Sequence, residues 1–362
     1  MVSTYIRRLT LAVSVSVLAG CASGSSGTSV KSTRSPSVTT EITLLTHNAF
    51  VMPQGMAELF EQQTGVSIKL LQDGDTGALV NKAILTRDNP QADVLFGVDN
   101  AFLSRAIEQK IFAPGAYRAL DAIDTEHRDQ FGDALRFVVP VDYGDVCINY
   151  DTAWFAERDV APPKNLDDLV DPKYSGLTIV QNPATSSPGL AFLIATRERY
   201  PGDAWKEYWR ALQRNNVLVV DDWTIAYQAE FTAGGGEGSR PIMISYASSP
   251  PADVFYSEGA KTKPTIAAVD DGCVRQYEFV GVLAGSKHEV AGRQLVEFML
   301  SNEFQRELPL SNFVFPARRE VALPQMFSDF ALVPESPVTI DYLAIGRDRS
   351  EWIREWIALV LG

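Results

Sequence analysis

Apolar residues along this chain recur at two spacings, one of two residues and one between three and four, and the two rhythms take turns. Residues 41–46 read as a first buried strand, and residues 47–50 follow as a loop. Met56, Leu59 and Phe60 fall at helical spacing within 55–63, and 66–71 reads as a second strand ending in Asp73-Gly74-Asp75-Thr76-Gly77. A helix is predicted over 78–86 and a short, wholly apolar strand over 92–97. That order predicts a parallel sheet in an α/β unit, with ligand crevices beyond its strand ends. Residues 103–109 look helical until Pro114-Gly115 breaks the pattern. The long extended run 137–150 is interrupted by Pro140 and Gly144, which predicts two strands in succession where the chain crosses between domains.

After Asp151 the alternation restarts. Helices are expected near 166–170, 188–199, 204–213 and 225–232, and strands over 178–181, 217–220 and 242–246. This second unit is complete by about residue 265. A strand over 273–283 returns to the first unit, a periodic helix follows over 289–301, and a helix over 351–361 carrying Trp352 and Trp356 closes the chain. The expected architecture is α/β with two discontinuous lobes: 41–141 and 269–317 form lobe 1, 142–268 forms lobe 2, and 318–362 packs as a helical segment on lobe 2. Two lobes joined by crossing strands imply a cleft that closes by a hinge.

Residues 1–20 read as a targeting segment, with Arg7 and Arg8 ahead of an apolar stretch over 9–18 too short to span a membrane. Leu18-Ala19-Gly20-Cys21 resembles a bacterial lipobox, which would place a lipid on Cys21; an ordinary secretory cleavage site is the alternative. Residues 21–40, rich in Ser, Thr and Gly, read as a flexible tether. A net charge of −13 over 362 residues argues against nucleic acid or an anionic membrane surface as the main partner.

Enzyme signatures are missing: the sequence has no Gly-x-Ser-x-Gly, phosphate-binding P-loop, HExxH or post-strand Gly-x-Gly-x-x-Gly motif. The three histidines are scattered and give no metal spacing. Cys147 is the one nucleophile candidate; with Cys273 it forms an even pair suited to a disulfide, two buried thiols being the alternative. Binding signatures are richer. In QNPATSSPGLAF (181–192), Thr185, Ser186 and Ser187 precede Pro188 and an apolar run, which predicts a helix N-terminus able to hold an anion or simply to be capped. Tyr143, Trp223, Tyr246 and Phe313 lie beside small or polar residues, where an aromatic can stack a planar ring or a cation. Asp73, Asp75 and Asp142 are candidate carboxylate partners for such a ring.

These segments together resemble the periplasmic thiamine-binding proteins. The resemblance rests on ADVLFGVDN (92–100), VDYGDVCINYD (141–151), QNPATSSPGLAFL (181–193), DDWTIAYQ (221–228) and SYASSPPA (245–252), in matching order and spacing. It implies the type 2 periplasmic-binding fold with an interlobe ligand cleft. It also implies a receptor, acting as a monomer without a cofactor, that delivers thiamine, its monophosphate or its diphosphate to the permease and cytoplasmic ATPase of an ABC importer. Site residues implied are Asp73-Gly74 or Asp75-Thr76, Ser186, Ser187, Trp223, and Tyr246, Ala247, Ser248 and Ser249; Asp142 and Tyr143 stand beside them as candidates from their own residue types. Phe313 stands where better-known members carry tryptophan, and His47 where they carry tyrosine. With Cys21 lipidated, the receptor would sit outside the cytoplasmic membrane. The alternatives are a receptor of the same fold for iron or a polyamine, and a thiaminase-like enzyme using Cys147.

Overall fold

The computed structural model describes residues 40–234 and 238–362. The expected signal segment, the lipid site at Cys21 and the tether through residue 39 lie outside the described residues, and Thr40 already belongs to the first strand.

The strands are β1 (Thr40–Thr46), β2 (Val66–Gln72), β3 (Val94–Asp99), β4 (Val139–Asp151), β5 (Thr178–Gln181), β6 (Leu218–Val220), β7 (Ile242–Tyr246), β8 (Ile266–Val282), β9 (Phe315–Pro316) and β10 (Val338–Thr339). They make one sheet in the order β2-β1-β3-β8-β4-β7-β5-β6, with β9 beside β4 and β10 beside β8. β1 runs parallel to β2 and β3, and β5 runs parallel to β6 and β7, as strand–helix alternation predicts. Between these two sets lie β4 and β8, antiparallel to each other and to their outer neighbours β7 and β3. The sheet is therefore mixed, not parallel.

The expectation of two strands over 137–150 is corrected: β4 is a single strand of 13 residues. Its pairing with β8 shifts between Pro140 and Asp142 and again between Val146 and Ile148. Bulges of this kind absorb a proline, which cannot donate to the ladder, without ending the strand. β8 also begins at Ile266, earlier than the 273 expected from pattern. These long strands lie side by side and carry the chain between the two parallel sets. A disulfide between Cys147 and Cys273 joins them at the second bulge.

One apolar core, with Ile42, Phe60, Val94, Val280, Leu295 and Phe304, supports the β2-β1-β3 half. A larger one continues from Leu79 and Leu103 through Val146 to Leu190, Trp209 and Trp356, so it serves both halves. The closing helix, Tyr342–Val360, is longer than pattern suggested. At 1.5 Å per residue it is about 28 Å long, and it packs on both the Leu103–Glu108 and Ala204–Arg214 helices. Trp356 meets Trp209 edge-on at 5.3 Å, while the Arg349 guanidinium donates to the Ala101 carbonyl at 3.2 Å. The C-terminal segment, expected on lobe 2, thus packs on helices of both halves.

Closing a chain segment of this length by a disulfide removes conformational freedom from the unfolded chain. Replacing both Cys147 and Cys273 by alanine is predicted to lower unfolding free energy by about 2–4 kcal/mol, read from urea midpoints. An unchanged midpoint would contradict a structural role for the bond.

Candidate functional site

A cavity of about 820 Å³ opens between the loops that follow β1 and β2 and the elements that follow β6 and β7. Its walls are aromatic. Trp223 stacks on Tyr227, four residues on, at 4.8 Å with planes 21° apart. Its indole Nε1 donates to Ser245 Oγ at 2.9 Å, and Ser245 Oγ lies 3.1 Å from Ser249 Oγ. The Tyr246 ring lies across Gly144, where an added Cβ would approach the ring to 3.2 Å. Phe313 sits at φ +54°, a left-handed conformation that costs a side-chain-bearing residue energy, and its carbonyl accepts from Ser248 Oγ. Strain held beside a cavity is a common accompaniment of a binding site.

The floor is acidic. Asp142 on β4 faces Glu278 on β8 in register, and neither Asp142 oxygen has a hydrogen-bond partner of good geometry. Burial, and then the facing Glu278, push the Asp142 carboxyl well above the usual carboxylate range. His47 Nε2 stands 3.2 Å from Glu278 Oε1. Burial opposes a charge on His47, but Glu278, Asp75 and Asp99 outweigh it, and its pKa is raised. Lys261 also lines the cavity, and Asp253 holds its Nζ at 2.5 Å.

Of the residues singled out in the sequence, His47, Asp75, Thr76, Asp142, Trp223, Tyr246, Ser248, Ser249 and Phe313 line this cavity. The others lie elsewhere. Asp73 is at the surface, paired with Lys82 at 2.5 Å. Gly74, at φ +44°, makes the turn, and its carbonyl accepts from the Asn48 N–H at 2.8 Å. Of the two turn pairs, Asp75-Thr76 is the one at the cavity. Tyr143 points away: successive strand residues face opposite sides, and its ring stacks on Phe315 at 5.3 Å under the Arg275 guanidinium. Ala247 is buried beside the disulfide.

Ser186 and Ser187 are also withdrawn, fully buried at the start of the Ser187–Arg199 helix. The anion at this N-terminus is the protein's own. The Asp75 carboxylate accepts from the backbone N–H groups of Thr76 (2.7 Å), Ser187 (3.4 Å) and Trp223 (3.3 Å), and the Ser186 hydroxyl bonds it too. Ser187 Oγ donates to Asp99. In return, the Thr185 carbonyl accepts from Gly77 N (2.9 Å) and Ala78 N (3.3 Å) at the start of the Thr76–Leu85 helix. A Cβ on Gly77 would come within 2.6 Å of the Ala184 oxygen, so only glycine permits this approach.

Sequence reasoning missed Glu278, Gln276, Tyr227, Tyr256 and the Asp253–Lys261 pair, all of which line the cavity. Two had a signal: Glu278 is a charged residue inside an apolar strand run, and Tyr227 follows Trp223 at helical spacing.

Residues 89–343 match the model of the bacterial extracellular solute-binding protein family. The thiamine-binding periplasmic protein of Salmonella typhimurium is 29% identical over 321 residues, covering 87% of this chain and 92% of that protein. A solved periplasmic thiamin binding protein superposes with a TM-score of 0.77 at 27% identity, covering 88% of this chain and 96% of the other. Iron-bound HitA from Pseudomonas aeruginosa superposes with a TM-score of 0.69 at 20% identity, covering 87% and 99%. The last likeness is one of fold alone. The fold is the type 2 periplasmic-binding architecture, as the sequence implied.

Burial pushes the Asp99 carboxyl up to about 6, despite hydrogen bonds from Ser187 and the Phe102 N–H. A folded pKa raised in this way favours folding below about pH 4, and that contribution is lost as pH rises through about 6. Asp99→Asn removes the buried charge; its Oδ1 can still accept from the Phe102 N–H, and its Nδ2 can donate to the Ser187 hydroxyl, which turns to accept. It is predicted to stabilise the protein by about 1–2 kcal/mol at pH 7.5 and much less at pH 4.5, measured by urea unfolding at both. Equal effects at the two pH values would contradict this account.

Proposed function

The chain belongs to the bacterial extracellular solute-binding protein family, and we propose that it captures thiamine or a thiamine phosphate outside the cytoplasmic membrane. The observation that carries this reading is a cavity that joins stacked aromatic walls to an acidic floor. Thiamine joins a flat, cationic thiazolium ring to a separate amino-substituted pyrimidine ring through a methylene bridge. Its thiazolium would lie against Trp223 and Tyr246, where a desolvated cation–π contact contributes on the order of 2 kcal/mol. Asp142, Glu278 and Asp75 would accept from the amino group or offset the cation. Two relatives with matching length, both described as thiamine-binding, support the choice over a general cation receptor.

The site serves binding rather than turnover. Cys147, the nucleophile a thiaminase-like enzyme would need, is bonded to Cys273. The captured ligand would pass to the permease of an ABC importer driven by its cytoplasmic ATPase, and a lipid on Cys21 would hold the receptor at the membrane.

Titration calorimetry with thiamine tests the proposal. Binding tighter than about 10 μM is expected, worth more than about 7 kcal/mol, with spermidine binding far more weakly because it cannot stack. Trp223→Ala should weaken thiamine by roughly 30-fold, the equivalent of that lost cation–π contact. A wild-type protein that prefers spermidine, or ignores thiamine, rules the proposal out.

A further inference from the structure

The start of the Ser187–Arg199 helix, with two hydroxyls and free N–H groups, is where a phosphate would be expected to bind. It is already filled. Asp75 reaches it from the opposite half of the sheet, and its carboxylate takes the Ser187 and Trp223 N–H groups and the Ser186 hydroxyl. These are donors of the kind an oxyanion of a ligand would use, and they belong to two separate helix starts, Ser187–Arg199 and Trp223–Ile225. Asp75 itself is 8% exposed and lines the cavity, so a ligand phosphate entering here would meet a carboxylate in place of free donors.

The charge of the lining points the same way. Asp75, Asp253 and Glu278 face one lysine and one histidine, Asp253 holding the lysine and Glu278 lying 3.2 Å from His47 Nε2. Burial and Glu278 push the Asp142 carboxyl well above the usual carboxylate range, so it is not counted with them. A cationic ring is favoured in such a cavity, whereas a ligand carrying one or two phosphate groups meets acidic side chains, with Lys261 and His47 among the described residues of the lining each already facing a carboxylate.

We infer that Asp75 is a specificity-determining residue, an internal anion that fills the oxyanion position and selects the unphosphorylated ligand over its phosphate esters. This deepens the thiamine reading and rests on it. The neutral hydroxyethyl end of thiamine needs no oxyanion position and can be met by hydroxyls such as Ser248, Ser249 and Ser257, which also line the cavity.

The test is calorimetric titration of the full chain with thiamine, thiamine monophosphate and thiamine diphosphate, using wild type, Asp75→Ala and Asp75→Asn. Wild type should bind thiamine at least about 10-fold tighter than either phosphate. Asp75→Ala, which empties the position, should shift the ratio at least about 10-fold toward the phosphates. Asp75→Asn, which removes the charge but keeps an acceptor, should fall between. Wild type binding all three alike overturns the inference, as does an unchanged ratio in both variants. If Asp75→Ala fails to fold, the wild-type ratio and Asp75→Asn decide it. Wild type that binds none of the three shows instead that the thiamine reading is wrong, and the inference falls with it.

Discussion

A carboxylate from one half of the sheet capping two helix starts on the other half is the contact on which this site depends. Asp75 meets the Ser187 and Trp223 N–H groups, and the Thr185 carbonyl answers by accepting from Gly77 and Ala78. Each half thereby satisfies N–H groups that the other half's helix cannot satisfy internally. Burial disfavours the Asp75 charge and raises its pKa, so the hydrogen bonds compensate that cost only in part. A buried carboxylate held this way marks a functional position more than a stabilising one.

The sheet explains why this contact can form. β4 and β8 run the width of the structure side by side and place Asp142 opposite Glu278 at the cavity floor. The loops after β1 and β2 bring His47 and Asp75 from one side, and those after β6 and β7 bring Trp223 and Ser249 from the other. Acidic floor and aromatic wall therefore come from different halves, and a ligand needs both. The disulfide fixes β4 against β8 near the same crossing.

Much of the fold was legible because its cause is local. Alternation and helical spacing located β1, β2, β3, β5 and β7 to within a few residues, and Ser186 with Pro188 marked the long helix start. The antiparallel placing of β4 and β8 was not legible, since pairing direction is a long-range property and a bulge hides a proline from pattern reasoning. In the site, Trp223, Tyr246 and Asp75 were visible as aromatics and a carboxylate in loops or at strand ends, and Asp142 as a carboxylate within a long extended run. Ser186 and Ser187 are buried behind Asp75 and do not line the cavity, for an instructive reason. A helix N-terminus signals that an anion will bind, but it does not say whether that anion is a ligand or a side chain 112 residues away. Glu278 was missed because it lies inside a strand, where only the facing Asp142 shows its purpose.

The most direct test of the whole account is a crystal structure of the thiamine complex. The account predicts the thiazolium against Trp223 and Tyr246, the amino-substituted ring toward Asp142 and Glu278, and the Asp75 carboxylate still on the Ser187 and Trp223 N–H groups. A ligand lying elsewhere, or one whose tail has displaced Asp75 from those groups, would contradict it.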